Sequence, residues 1–408
     1  MLNSGGKKSK ERKPRPQKMG NEKIKILMFS AGLLSGSFRM MMDIIGHMDA
    51  ERFSFHVTYK PEYAEWGKDE IRSILDAGAK IVPLRGKQLF DVRGFLDLWI
   101  ALRSNHIDIL HSWDVLGVPA RIIGKLAGVK VVEELANPPA SVPLAISLKH
   151  YLTNRITSVF VDGFVACSNE IRKRYYAERP VFLRNKIFSA IPNCVEIPCV
   201  TLDHDNIARL RKRFGIKDGE IVLTNIGYFN EQKAQSDLLK AFNTVVEKKS
   251  GVRLFIAGWG RLERDLKETT RDLGLDRQVT FTGKLSRSEV FELLAVTDLF
   301  VLSSHWEGFG IVMAEAMALG KPVLSTDTDG AREVVENGKT GLLVPVKRPD
   351  RMAETILRIL VQPEFLEQMG RMGLERVAKH FNCEKFVKGY EKFYLDVLHG
   401  QERTSIRT

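Results

Sequence analysis

A chain of 408 residues, 44% hydrophobic and 27% charged, is too long for one ordinary core and predicts a soluble globular protein of two similar domains. Its four cysteines, Cys167, Cys194, Cys199 and Cys383, have neither disulfide-framework density nor paired zinc-type spacing, which fits a reducing cytosol. The formal net charge is +12, but residues 1–22 hold seven Lys and Arg against Glu11 and Glu22, so five of those charges sit in one short segment.

That segment contains KKSKERKPRPQK, is studded with Gly, Ser and Pro, and cannot bury a core. A disordered basic tail over residues 1–22 is therefore expected. It has no apolar h-region, so it is not a secretory signal. No run of eighteen apolar residues occurs, so no membrane span is expected. The remaining seven charges suit phosphate-bearing ligands or an anionic membrane surface. No nucleic-acid motif accompanies them, and nucleic acid is not an expected partner.

From residue 23 onward, short apolar runs of β type alternate with amphipathic segments. Predicted strands are KIKILMFSA (23–31), FSFHVTY (53–59), KIVPL (80–84), IDILHSW (107–113), VKVVEEL (129–135), GFVACS (163–168) and IFSAIPN (187–193). Helical periodicity lies between them, as in 91–105. Near-continuous apolar strands belong to parallel sheets covered on both faces. The stretch IPCVTLDHDN (197–206) carries proline and polar residues without periodicity and predicts a linker.

A second cycle follows, with strands at 220–228, 252–258, 278–283, 299–304, 321–327 and 341–346 and helices at 236–249 and 287–297. The last helix, around 384–400, has Phe386, Tyr390, Phe393 and Val397 at helical spacing and should pack back onto one of the domains. The fold class is α/β: two doubly wound, Rossmann-like domains facing a cleft, over 23–200 and 207–382, with a final helix at 383–400.

Ligands bind open α/β sheets at the carboxyl ends of strands, and the candidate site residues fall there. GYFNEQKAQSDLL (227–239) offers Gly227 for a tight turn and Lys233 as a cation on the cleft side. IAGWGRLERDL (256–266) has Gly258 and Gly260 in a turn entering a helix, a weak signal alone. SSHWEGFG (303–310) leaves a strand and enters IVMAEAMALG (311–320). Gly308 and Gly310 leave backbone N–H groups uncovered at a helix start, a ready anion site. Glu307 stands at the mouth of this loop, and Glu315 about 8 Å further along the axis. A ligand with a hydroxyl-rich end, an anionic middle and a second diol fits this order, which describes a nucleotide-diphospho-sugar.

The Glu-x7-Glu pattern from Glu307 to Glu315 inside EGFGIVMAEAMALGKPV, continuing through Thr326, Gly330, Glu333 and NGKTGLLVP, resembles the retaining glycosyltransferases of the GT-B fold. This is the glycosyltransferase family 4-like, or group 1, family, typified by glycogen synthases and bacterial mannosyl- and glucosyltransferases. The resemblance covers about 24–400, strongly after 215 and in outline before it. It implies that Glu307 holds donor-sugar hydroxyls, that the backbone of Gly308, Phe309, Gly310 and Ile311 holds the phosphates, and that Glu315 holds the ribose. Thr282 and Gly283 would contact the nucleobase, and Lys233 the diphosphate. Lys233 and Glu307 are the implied catalytic pair. The final helix would cross back to the N-terminal domain.

The chain departs from the family in places. Tyr228 replaces a usual Arg, leaving Lys233 to neutralise more alone or with Arg261 or Lys284. Trp113 stands where the family often has a cleft histidine, two residues beyond His111, and His111 reads either as a strand-packed side chain or as an acceptor-side one. Cys194 replaces a glycine after Asn193. Gly36 and Ser37 occupy the place of a double-glycine loop on the acceptor side, where an ordinary turn is the alternative.

The expected activity is retaining, metal-independent sugar transfer from a UDP- or GDP-sugar to a hydroxyl of a saccharide or lipid-linked acceptor, in cell-surface polysaccharide or glycolipid synthesis. No cofactor beyond the nucleotide-sugar substrate is expected. The expected location is cytoplasmic, with room for peripheral association at the inner membrane face. The rivals are another nucleotide-sugar enzyme, such as an epimerase or phosphorylase, and a catalytically silent binding or regulatory relative.

Overall fold

A computed structural model of the chain describes residues 22–29, 36–59, 68–85, 92–113, 118–139, 156–178, 186–197 and 203–400. Residues 1–21 of the basic tail, the middle of the predicted linker and the side chain of Ser37 lie outside them. Strands β1 (Ile24–Phe29), β2 (Phe53–Tyr59), β3 (Lys80–Pro83), β4 (Ile109–Trp113), β5 (Lys130–Leu135), β6 (Gly163–Ala166) and β7 (Ile187–Ala190) form one sheet, in the order β3-β2-β1-β4-β5-β6-β7. Strands β8 (Ile221–Ile226), β9 (Val252–Ala257), β10 (Val279–Gly283), β11 (Leu299–Leu302), β12 (Val323–Thr326) and β13 (Leu342–Val344) form a second, in the order β10-β9-β8-β11-β12-β13. Every strand pair in both is parallel. Each strand lies within its predicted run and stops a residue or more short of at least one end in most cases, because the flanking residues turn into loops at the sheet edges.

Both sheets are doubly wound, and the strand order reverses at β1/β4 in the first and β8/β11 in the second. The same local device registers each reversal. The Asp108 carboxylate accepts from Lys25 N at 2.9 Å while Asp108 N donates to Lys25 O. The Asp298 carboxylate likewise accepts from Val222 N at 2.7 Å while Asp298 N donates to Val222 O. An aspartate just before the fourth strand thus satisfies backbone at the start of the first, fixing the register.

The predicted linker ends earlier than 206. Asp203 caps the helix His204–Arg213, its side chain accepting from Asn206 N at 2.8 Å. Asp205 in the first turn and Arg211, Lys212 and Arg213 in the last complement the helix dipole. The absence of apolar periodicity hid this charged, surface-lying helix.

The last helix, Cys383–His399, is capped by Asn382 and packs on the N-terminal domain. Phe386, Tyr390, Phe393, Tyr394 and Val397 are buried in one core with β1, β2 and the helix Gly36–His47. Burial of each such side chain contributes about 1.5–3 kcal/mol. Gly163 in β6 makes the fit possible, since a Cβ there would lie 2.7 Å from Val397 and 3.0 Å from Phe393.

This helix also corrects the acceptor-side expectation for His111 and Trp113. The two rings stack 4.1 Å apart and are 0% and 1% exposed. His111 Nδ1 shares a 2.8 Å hydrogen bond with Tyr394 Oη, and Tyr390 Oη donates to Glu134 Oε2 at 2.8 Å. Aromatic residues of the final helix close over β4, so both side chains belong to the core and reach no cleft.

Burial holds His111 neutral, its pKa pushed down from 6.5 to about 3. The unfolded chain takes up this proton as pH falls through 6.5, and the folded protein resists until about 3, so stability is lost on acidification across that window. The thermal midpoint should therefore fall between about pH 7 and pH 5. In His111→Gln, which can still bond Tyr394, calorimetry should show a smaller fall; an undiminished one removes His111 as its source.

Candidate active site

The residues singled out in the second domain converge where its strand order reverses. The loop after β8 and the loop after β11 are bound to each other along their length. Ser303 Oγ donates to Lys233 O at 2.8 Å, His305 N to Gln232 O at 2.8 Å, and Gln232 Nε2 to Trp306 O at 3.1 Å. His305 Nε2 lies 2.9 Å from Asp237 Oδ2 on the helix that follows. Ala234, at φ 48°, makes the sharp entry to that helix. This clasp brings the Lys233 ammonium onto the Glu307 carboxylate in a direct ion pair. Ser304 Oγ donates to the same Glu307 oxygen at 2.7 Å. Glu307 is 5% exposed, so its charge is met by one cation and one hydroxyl rather than by water.

Glycine supplies the room. A Cβ on Gly227 would meet the Lys233 side chain at 3.4 Å, an ordinary contact. Gly258, at φ 143°, lets its turn come so close that a Cβ would lie 1.9 Å from Gly227 O. On the far side, Tyr228 is exposed and meets Trp259 edge-on at 5.8 Å. Neither suggested helper cation is at the ion pair. Arg261 pairs with Glu231, and Lys284 reaches Glu70 of the N-terminal domain at 3.0 Å while lying over Trp259. Thr282 and Gly283 end β10 beside this turn, where Gly258 N donates to Gly283 O at 2.9 Å.

The helix Ile311–Ala318 starts at Gly310, whose φ of 78° turns the chain and which offers no side-chain cap. Its first-turn N–H groups, like those of any helix, lack intrahelical partners and carry the positive end of the dipole. Phe309 turns its ring into the core against Phe381 at 5.2 Å, so only its backbone faces the loop. Glu315 is buried one turn on and meets Arg39 of the N-terminal domain, Nη1 to Oε1 3.7 Å. Burial raises the Glu315 pKa, and Arg39 opposes that rise. Arg39 also clasps Asp43 at 3.0 and 3.1 Å. Sequence reasoning missed Arg39: its pairing depends on how the domains meet, and no local motif marks it. Of the acceptor-side pair, Gly36 opens the helix Gly36–His47 with nothing within 4 Å of a Cβ, and Ser37 follows it.

Other contacts tie this loop to the N-terminal domain. A Cβ on Gly308 would lie 1.7 Å from Ala136 O, after β5. Asn169 donates from N and Nδ2 to the Glu333 carboxylate, both at 3.0 Å, and Arg174 meets Asp329 at 2.9 Å. Among the described residues, no group of three or more His, Cys, Asp or Glu could hold a metal ion.

Comparison with known proteins agrees with this architecture. Residues 206–376 match the family of glycosyl transferases group 1. N-acetyl-alpha-D-glucosaminyl L-malate synthase of Bacillus anthracis is 33% identical over 201 residues, covering 49% of this chain and 52% of that protein. Alpha-D-kanosaminyltransferase of Streptomyces kanamyceticus is 33% identical over 162 residues, covering 40% and 42%. The chain spans about half the length of the curated relatives it matches. Among solved structures, Anabaena HepE in complex with UDP-glucose superimposes with a TM-score of 0.78 at 18% identity, over 91% of this chain and 100% of that one. Sucrose-phosphate synthase of Thermosynechococcus elongatus does so with 0.74 at 17%, over 93% and 100%. These likenesses give the fold as GT-B.

The close approach at Gly308 makes a test. Gly308→Ala should lower stability by about 1–3 kcal/mol, read as a lower midpoint in thermal unfolding. Gly36→Ala, with open space around it, should leave the midpoint in place; equal behaviour of the two would refute the seam contact.

Proposed function

Residues 206–376 match the glycosyl transferases group 1 family and lie in a chain of GT-B fold, and from this match we propose that the protein transfers a sugar, with retention, from a nucleotide-diphosphate sugar to an acceptor hydroxyl. The observation that carries the proposal is the Lys233–Glu307 ion pair at the β8/β11 reversal, beside an uncapped helix start. In this reading Glu307 accepts from donor-sugar hydroxyls. Lys233 and the backbone of Gly308 to Ile311 hold the diphosphate, on which negative charge grows as it leaves. Glu315 takes the ribose diol, which requires it to share or exchange its contact with Arg39. Thr282 and Gly283 lie at the base, and Tyr228 offers a phenol toward the phosphates where the family usually has a guanidinium. The acceptor hydroxyl attacks from the face the diphosphate leaves, with a phosphate oxygen taking its proton. This chemistry calls on no pair of carboxylates at glycosidase spacing and on no metal.

UDP- and GDP-sugars, HepE being a protein solved with UDP-glucose, are the donors to try first. A saccharide, free or lipid-linked, is the acceptor class, as in surface polysaccharide or glycolipid synthesis at the inner face of a membrane. The silent-relative reading has Tyr228 in its favour, and it predicts donor binding without turnover.

A donor present at a hundred times its Kd should stabilise the fold by about 2.7 kcal/mol, visible as a rise in thermal midpoint with one sugar nucleotide of a panel. With that donor, Lys233→Ala and Glu307→Ala should each lower kcat/KM about a hundredfold or more; full activity in both would sink the assignment. The buried Glu315 should take up its proton above the ordinary glutamate range, so donor affinity should weaken on mild acidification. Glu315→Gln should bind more weakly and lose that pH dependence.

A further inference from the structure

Twelve large apolar side chains stand exposed among the described residues, and eight of them lie between residues 92 and 159. Six of those eight come from one pair of helices of the N-terminal domain. The helices Val92–Ser104 and Val118–Ala127 pack side by side. Their inner rows, including Leu98, Leu102, Ala120 and Ile123, fill the core against β1 and β4. Their outer rows are apolar as well: Leu96 is 55% exposed, Trp99 42%, Ile100 51% and Leu126 68%, with Val92 and Ile122 beside them. A surface helix of a soluble domain ordinarily turns polar residues outward, and large apolar side chains exposed together mark an interaction surface.

The second domain shows what the same layer looks like when it is finished. Its helix Ile311–Ala318, which follows β11 as Val118–Ala127 follows β4, is covered by the helix Pro363–His380, where Met317 packs on Gly373. Its helix Arg287–Ala295 turns Arg287, Ser288 and Glu292 outward. Among the described residues nothing comparable covers the N-terminal pair.

The charges around the patch say what would. Arg93 and Arg103 stand on the first helix, Arg103 lying 5.9 Å from the centre of the Trp99 ring. The acidic side chains at hand, Asp97 and Asp162, are held by Arg85 and Lys125. A flat, two-helix apolar face with a tryptophan in it and a cationic rim is complementary to an anionic lipid surface.

We propose that this face docks the protein on an anionic membrane through Leu96, Trp99, Ile100 and Leu126. Both helices begin just past the carboxyl ends of β3 and β4, the sheet edge from which Ala136, after β5, reaches Gly308. Docking there sets the N-terminal rim of the cleft at headgroup level, where a lipid-carried acceptor hydroxyl would stand. The docking goes beyond the transfer reading and does not depend on it.

The test is co-sedimentation of the full chain with phosphatidylcholine vesicles, with and without phosphatidylglycerol. Binding should require phosphatidylglycerol and weaken with salt. The triple variant Leu96→Ser, Trp99→Ser, Ile100→Ser should lower partitioning at least about tenfold, with its circular dichroism and donor-induced thermal shift kept. Should that variant misfold, quenching of tryptophan fluorescence by brominated lipid should be seen in the native chain and reduced in Trp99→Phe. No binding to phosphatidylglycerol vesicles, or equal binding by the triple variant, overturns the proposal. So does binding lost only on removal of residues 1–22, or a dimer that the triple variant dissolves without any lipid binding. Loss of sugar transfer with lipid binding intact would reject the transfer reading alone.

Discussion

A carboxylate removed from water must be met by charge or hydrogen bonds, and the second domain buries two of them within eight residues of one another. Glu307 is met inside the domain, by Lys233 from the neighbouring loop and by the Ser304 hydroxyl. Glu315 is met from outside, by Arg39 on the first helix of the other domain. Breaking a buried pair by removing one partner costs about 3–5 kcal/mol, so both contacts constrain the loops that deliver them. The clasp between residues 228–239 and 303–307 keeps the Lys233 ammonium where the strand order reverses. Arg39 also joins the two domains at Glu315, so a ligand that engaged Glu315 would compete with that contact.

The two sheets are built alike, down to the aspartate that precedes the fourth strand of each and ties off the first. Their surroundings differ. In the second domain the long helix Pro363–His380 lies over Ile311–Ala318 and screens the apolar back of the site helix. The first domain has given its inner face to the last helix of the chain, while its outer pair of helices carries hydrophobic side chains into solvent. One architecture thus carries a covered helix layer in one half and an exposed apolar one in the other.

Much of this was readable beforehand. Parallel strands buried on both faces are written as unbroken apolar runs, which is why all thirteen could be placed. The Glu307–Glu315 spacing was readable because the loop and the helix it enters are contiguous. Features made by distant segments were not. Arg39 reaches Glu315 only through the docking of domains, and nothing near Arg39 in the sequence marks it. His111 and Trp113 looked like residues at a strand's carboxyl end, facing a cleft. Their burial is decided by Tyr390 and Tyr394, more than 250 residues downstream. The helix His204–Arg213 was hidden for a different reason: its identity rests on caps and charge rather than on a core stripe.

The final helix has one more consequence. It completes the hydrophobic interior of a domain whose own strands end at residue 190, yet its aromatic side chains span 386–394. On a ribosome that domain must therefore wait, its β4 histidine and tryptophan still uncovered, until the entire second domain has been made. The core of the first domain is closed only by the helix Cys383–His399, so a translation product interrupted just before it would carry a complete second sheet beside an unfinished first domain.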